Sequence, residues 1–227
     1  MTVQPQTRTL RVREKLLTGG AQSLSDTELL TVFISSGSGK KSCSQLAHDL
    51  IKQLGDMRSL LNADLHTFQQ VSGVGVVRYV QLQVVREICR RSDFISLQKE
   101  LSLTNSRQTH QYLKRQLRDK KNETFAALFL DSQHRVLAYE ELFHGTIDHA
   151  AVHSRPLIER VLKLNAAAVI LAHNHPSGLS DASQQDLDVT ERLSAALDLV
   201  DARLLDHLII GDNEVYSIMS AVKWPCH

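Results

Sequence analysis

The segment Leu171-Ala172-His173-Asn174-His175-Pro176-Ser177-Gly178 is where chemistry concentrates in this chain. Side chains alternate along a strand, so His173 and His175 project to one side and Asn174 to the other. Pro176 stops the strand and Gly178 allows a turn. The chain then returns to Ser183, which fits a helix N-cap, and Asp186 falls three residues later, inside the first helical turn. Two imidazoles from a strand end and one carboxylate from a helix start therefore converge. A His2Asp set with an open fourth position suits one Zn²⁺ per chain holding a water. Such a water ionises near pH ~7, which makes hydroxide available for hydrolysis under neutral conditions. Each piece also has a plainer reading. An isolated His-x-His is a weak signal, and an acid at a helix start is favoured by the helix dipole. Neither explains why two histidines end a buried strand where a glycine-containing loop brings back an acid.

The elements around this segment imply an α/β domain. AAAVILAH (166–173) and ARLLDHLIIG (202–211) read as buried strands. Between them, 184–200 is an amphipathic helix with Val189, Leu193, Ala196 and Val200 inward. TFAALFLD (124–131) and RVLAYEELF (135–143) are β-like, joined by the polar turn Ser132-Gln133-His134. Ser154-Arg155-Pro156 opens a helix to about Leu164, with Ser154 as the expected cap. The earlier part reads helical. Ser25 with Glu28 three residues on is a capping-box pattern, and Leu46, Ala47, Leu50, Ile51 and Leu54 follow at helical spacing before Gly55. A shorter helix near 63–70 precedes Val71-Ser72-Gly73-Val74-Gly75. The long stretch after it places Tyr79, Leu82, Val85, Ile88 and Cys89 on one face. The expected organisation is a helical domain over 1–95, a linker over 96–103 and an α/β domain over 104–227.

His173-x-His175, seven residues, Ser183, two residues and Asp186 resemble the H-x-H-x7-S-x2-D signature of JAB/MPN metalloproteases, the JAMM motif. HNHPSG, with LFHGTI (142–147) and LLDHLIIG (204–211), looks like the RadC family, over about residues 104–220. The N-terminal part is also similar to the helical half of RadC-like proteins. The resemblance implies a mixed sheet with flanking helices, preceded by a small all-α helix-hairpin-helix domain. It implies a zinc-dependent hydrolase of peptide or isopeptide bonds with a peptide or protein substrate. His173, His175 and Asp186 would be the metal ligands, and Ser183 would bind the oxyanion, cap a helix, or both. An upstream glutamate would shuttle the proton, and the candidates are Glu140 and Glu141. They are adjacent, so they face opposite sides of a strand and only one can reach the metal. RadC-like loops usually carry a second proline before the motif serine. Here the loop is Leu179-Ser180-Asp181-Ala182, which keeps the ligand spacing but bears on the loop's shape. His207 is open between supporting the site and simple packing, and Asp206 between orienting a histidine and ending a strand.

Val71-Ser72-Gly73-Val74-Gly75 followed by a helix is similar to a helix-hairpin-helix loop. Glycines let backbone approach a phosphate, and helix N-terminal amides favour the anion. Gly73, Gly75 and Arg78 are the candidate nucleic-acid contacts, with Arg86, Arg90 and Arg91 behind them. A tight turn between helices would need the same glycines. Any DNA binding is expected to be weak, sequence-independent and salt-sensitive.

Composition narrows the rest. The chain has 227 residues and net charge +1, with 42% apolar and 22% charged residues, enough for a packed core. Residues 1–95 carry 12 Lys/Arg against 8 Asp/Glu, and residues 104–227 carry 13 against 16, with nine of the eleven histidines. No run has the ~20 apolar residues of a membrane span, and the start lacks a signal-peptide core. Cys43, Cys89 and Cys226 form neither a disulfide framework nor a CxxC site, which fits a cytoplasmic location. A rival reading is a DNA-associated protein whose metal site acts at nucleic acid, as a phosphodiesterase, or serves structurally. A nucleobase deaminase fails, because H-x-E and P-C-x-x-C are both missing.

Overall fold

The structure is a computed structural model that describes residues 5–39, 41–99, 106–145 and 152–225. The chain divides into two compact units, Met1–Cys89 and Arg90–His227.

The first unit is helical: α1 (Pro5–Gly19), α2 (Asp26–Ile34), α3 (Cys43–Leu54), α4 (Met57–Asn62), α5 (Leu65–Gln69) and the start of α6 (Val76–Lys99). A polar side chain caps each of four helix starts: Ser25, Ser42, Asp56 and Asp64 accept from the backbone N–H three residues on. The caps of α2 and α3 are complete capping boxes: Ser25–Glu28, expected from the sequence, and Ser42–Gln45, which was not. Leu30, Leu46, Leu50, Leu60, Phe68 and Leu82 form the core of this unit. On α6 the apolar face reads inward at Leu82. Farther on, Val85, Ile88 and Cys89 are exposed, contrary to the single buried face expected for them.

The expected linker over 96–103 begins as helix. Ser96–Lys99 close α6, and Leu97 is buried in one cluster with Tyr112, Leu113 and Leu117. Residues 100–103 lie outside the described residues.

The second unit holds α7 (Ser106–Leu117), β1 (Thr124–Leu130), β2 (Val136–His144), α8 (Ser154–Leu164), β3 (Ala168–Asn174), α9 (Gln184–Asp198), β4 (Arg203–Ile210), β5 (Glu214–Ser217) and β6 (Val222–Pro225). The six strands make one mixed sheet in the order β2-β1-β3-β4-β5-β6. Only the β3–β4 pair is parallel, joined through α9; the other pairs are antiparallel. Every residue of β1 and β3 is buried, so these central strands are covered on both faces. One face, with Phe125, Ala127, Phe129, Val169 and Leu171, packs on Leu157 and Val161 of α8 and on Val189, Leu193 and Leu197 of α9. The other face, with Ala126, Leu128, Ile170 and Ala172, packs on Tyr112, Leu113 and Leu117 of α7. The cap of α8 is His153, without a side-chain bond, and Ser154 is already the first helical residue.

Candidate metal centre

His173 and His175 emerge from the end of β3 on the face that packs on α8 and α9. Ser183 caps α9 and Asp186 occupies its third position, in a reciprocal capping box. The box accounts for the spacing. The Ser183 hydroxyl accepts from Asp186 N at 3.2 Å, while Asp186 Oδ2 accepts from Ser183 N and Oγ at 2.7 Å each. That leaves Oδ1 to face the imidazoles. His173 Nε2 lies 3.1 Å from Asp186 Oδ1 and 3.0 Å from His175 Nε2, and His175 Nε2 lies 3.7 Å from Asp186 Oδ2. Ligands about 2.0–2.1 Å from one tetrahedral ion are roughly 3.3 Å apart, so the donor set fits a small divalent cation such as Zn²⁺.

A glutamate stands beside this set, and it is neither of the two expected. Glu123, the residue before β1, brings Oε1 to 4.0 Å from His175 Nε2. Glu123, His173 and His175 form a cluster that could hold a metal ion. The placement follows from the register. Phe125 pairs with His173 across the antiparallel β1–β3 ladder, so two residues earlier on β1 meets two residues later on β3. The buried Asn174, pointing to the opposite face, fixes this approach. Its Oδ1 accepts from Thr124 N at 2.8 Å and its Nδ2 donates to Lys120 O at 3.2 Å. The His175 and Glu123 side chains are 18% and 16% exposed, against 0% for His173, so the open side of the cluster is theirs.

Glu140 and Glu141 are not brought to the site. Glu141 pairs with Ala126, on the α7 face, and is held by Lys120 Nζ at 2.8 Å. Glu140 pairs with Ala127 and shares the face of His173, but a bidentate contact from Arg160 of α8 holds it. β1 separates it from β3, about 10 Å at ordinary strand spacing. The sequence reading looked for an acid in the second strand. The usable signal lay in residue parity: Glu123 and Phe125 share a face in register with His173 and His175.

The surroundings orient each ligand. His175 Nδ1 sits 3.0 Å from the carbonyl of Leu179. The loop carrying that carbonyl is tied down without a second proline: Asp212 N donates to Gly178 O, Ser180 Oγ to Glu214, and Lys223 to Asp181 and Glu214. His173 Nδ1 lies 2.9 Å from His207 Nε2, and the Phe125 ring stacks on His173 at 6.0 Å between centroids. His207 is therefore a hydrogen-bonded neighbour of a candidate ligand. Asp206 instead accepts from His207 N and Ser217 Oγ, serving the β4–β5 region.

Burial alone would raise the Asp186 carboxyl, but the His173, His175 and Ser183 side chains against it outweigh that and hold it far below the ordinary range. The Asp186 carboxylate raises His175 against the opposing effect of burial. Burial, then the neighbouring His173, pushes His207 well below an ordinary histidine and keeps it neutral. The Asp206 carboxyl is raised by burial.

In the helical unit the hairpin residues have structural employment. Gly73 has φ +96°, and a Cβ there would sit 2.8 Å from Leu46 Cδ2, so the turn itself requires glycine. The Arg78 guanidinium, expected to contact phosphate, donates to the carbonyls of Gly73 at 2.9 Å and Ser36 at 2.8 Å and clasps the loop instead. A Cβ at Gly75 would meet nothing within 4 Å. No helix among the described residues is long and apolar enough to cross a membrane.

The profile of the RadC-like JAB domain matches residues 103–223, and that of the UPF0758 N-terminal region matches residues 4–80. A UPF0758 protein of Legionella pneumophila (strain Lens) is 66% identical over 227 residues, the whole of both chains. A UPF0758 protein of Pseudomonas savastanoi pv. phaseolicola is 48% identical over 209 residues, 92% of this chain and 93% of its own length. One of Aliivibrio fischeri (strain ES114) is 48% identical over 207 residues, 91% and 92% of the two chains.

Proposed function

The chain belongs to the RadC-like JAB domain family, and from that premise we propose that it is a zinc-dependent hydrolase of amide bonds, peptide or isopeptide. One observation carries the reading: His173 Nε2 lies 3.0 Å from His175 Nε2 and 3.1 Å from Asp186 Oδ1, His175 Nε2 lies 3.7 Å from Asp186 Oδ2, and the Glu123 carboxylate stands beside them. His173, His175 and Asp186 would hold Zn²⁺, which would supply Lewis acidity to a carbonyl and lower the ionisation of water towards pH ~7. Glu123 then does the proton work. Its carboxylate stands on the open side, takes a proton from the attacking water and returns it to the departing amine nitrogen. Ser183 caps α9 and donates to Asp186 Oδ2, and in this reading its hydroxyl proton swings from Oδ2 to the oxygen of the scissile carbonyl while Ser183 N keeps its bond to Oδ2. Arg160 keeps Glu140 out of the reaction, and Lys120 does the same for Glu141.

Metal analysis is the first test. The purified protein is expected to carry about one zinc per chain, lost in the His173→Ala, His175→Ala double variant. Peptide and isopeptide libraries then read turnover, which Glu123→Gln should abolish while leaving zinc in place. Sub-stoichiometric zinc in the parent, or full turnover in Glu123→Gln, would overturn the assignment.

A further inference from the structure

Behind His173, on the side away from Asp186 Oδ1 and His175, runs a chain of buried polar contacts that the reaction does not use. His173 Nδ1 meets His207 Nε2 at 2.9 Å, and His207 Nδ1 meets Thr190 Oγ1 at 2.5 Å. The Thr190 hydroxyl reaches the main-chain carbonyl of Asp186, four residues back on α9. His173 and His207 have no exposed surface, and Thr190 is 6% exposed.

The direction of this chain is fixed by its last member. A carbonyl oxygen can only accept, so the Thr190 hydroxyl proton points to Asp186 O. Thr190 Oγ1 must then accept, and the proton between it and His207 sits on His207 Nδ1. A neutral imidazole with a proton on Nδ1 has a lone pair on Nε2, so His207 accepts from His173 Nδ1–H. His173 is left with its lone pair on Nε2, the atom 3.1 Å from Asp186 Oδ1 and 3.0 Å from His175 Nε2. His175 obeys the same logic by a shorter route, because the Leu179 carbonyl accepts from its Nδ1–H.

We propose that His207 and Thr190 are positioning residues that lock His173 in the Nδ1–H tautomer and so present its Nε2 lone pair to the metal. A ligating histidine usually hands its second N–H to a carboxylate, a carbonyl or water. Here an imidazole does the accepting, which adds no negative charge behind the ligand. The relay also returns to the backbone of Asp186, so one hydrogen-bonded path joins two ligands across β3, β4 and α9.

The inference rests on the metal reading above, and the test separates the two. Zinc affinity is measured by chelator competition on the parent, Thr190→Val, Thr190→Ser, His207→Gln and His207→Phe proteins, well below their melting temperatures. Imidazole ¹⁵N spectra of the zinc-loaded parent read the tautomers directly. The expected result is a Nδ1 proton on both His173 and His207. Thr190→Val, nearly isosteric and able to fold, should weaken zinc binding roughly 10-fold or more, in the range found for supporting contacts of metal ligands. Thr190→Ser should stay within about threefold of the parent, since it keeps the hydroxyl. His207→Phe should weaken binding more than His207→Gln, whose amide can both accept and donate. A Thr190→Val protein that binds zinc like the parent, or a His173 without a Nδ1 proton in the loaded state, would overturn the relay. A parent that binds no zinc would instead overturn the metal reading itself.

Discussion

Replacing Ser183 by alanine probes the joint on which the candidate centre is built. The Ser183 hydroxyl makes two bonds, accepting from Asp186 N at 3.2 Å and donating to Asp186 Oδ2 at 2.7 Å. Loss of an N-cap acceptor costs about 1 kcal/mol. Loss of a hydrogen bond to a carboxylate costs about 1.5–3 kcal/mol. Asp186 is only 3% exposed, so water does not fully replace the hydroxyl, although Ser183 N still donates to Oδ2. Taken together, without assuming strict additivity, Ser183→Ala should destabilise the metal-free second unit by about 2–3 kcal/mol. For a domain of this size that is a drop of roughly 6–12 °C in melting temperature. Ser183→Gly, nearly neutral as a cap, should recover part of the loss and isolate the carboxylate bond. Calorimetry of the chelated parent, Ser183→Ala, Asp186→Asn and the double variant closes a thermodynamic cycle. A coupling of about 1 kcal/mol or more is expected between the two sites. If Ser183→Ala melts within about 2 °C of the parent, or the coupling is below about 0.3 kcal/mol, the capping-box account of how Asp186 is held is wrong.

Three more outcomes follow from the same geometry. Glu140→Gln and Glu141→Gln should leave zinc affinity within about threefold of the parent, because β1 lies between their strand and His173, whereas His175→Ala should cost at least 10-fold; chelator competition measures both. pH should act in opposite directions on the two metal states. The folded value of His175 is raised above the ordinary 6.5, so its contribution is full below that pH and fades as pH rises through the raised value. Asp186 is depressed below the ordinary 3.8, so its contribution is present above that pH and fades as pH falls through the depressed value. The depressed His207 and His110 act the other way near their ordinary 6.5, so it is above that range, towards about pH 8.5, that the chelated protein should melt lower as pH rises. The zinc-loaded protein should melt higher, since fewer protons compete for the imidazoles; parallel slopes in thermal melts would contradict this. In the helical unit, Gly73→Ala should destabilise by about 1–3 kcal/mol through its positive φ and the Leu46 contact, while Gly75→Ala should stay within about 0.5 kcal/mol in denaturant melts.

The sequence carried the local parts of this architecture well. Ser25 with Glu28 and Ser183 with Asp186 are capping boxes within four residues, and both form as read. The strands at Ala168–Asn174 and Arg203–Ile210 are legible from their apolar stretches, Ala168–Ala172 and Leu208–Ile210, which are buried on both faces. What stayed hidden depends on pairing between distant segments. Glu123 gains meaning only from the β1–β3 register, which a single sequence does not display. Arg160 removes Glu140 from consideration through a contact twenty residues away on another element. α7 escaped the pattern reading because it buries few apolar side chains, chiefly Tyr112, Leu113 and Leu117, among many polar ones. The charge of Arg78 is visible in the sequence, whereas its carbonyl partners at Gly73 and Ser36 are not.

The lone parallel pair in the sheet sets an order of assembly. His173, His175, Ser183, Asp186, Thr190 and His207 all belong to β3, α9, β4 and the turns between them, a single strand–helix–strand unit. Parallel strands cannot pair until the crossover between them has been made. During synthesis Glu123 and β1 leave the ribosome first, yet the cage beside them stays unbuilt until β4 has emerged and docked along β3. Nascent chains ending before Arg203 hold Glu123 and all three candidate ligands but lack His207, the buried imidazole 2.9 Å from His173. The donor set with His207 behind it is thus withheld from incomplete chains by connectivity alone.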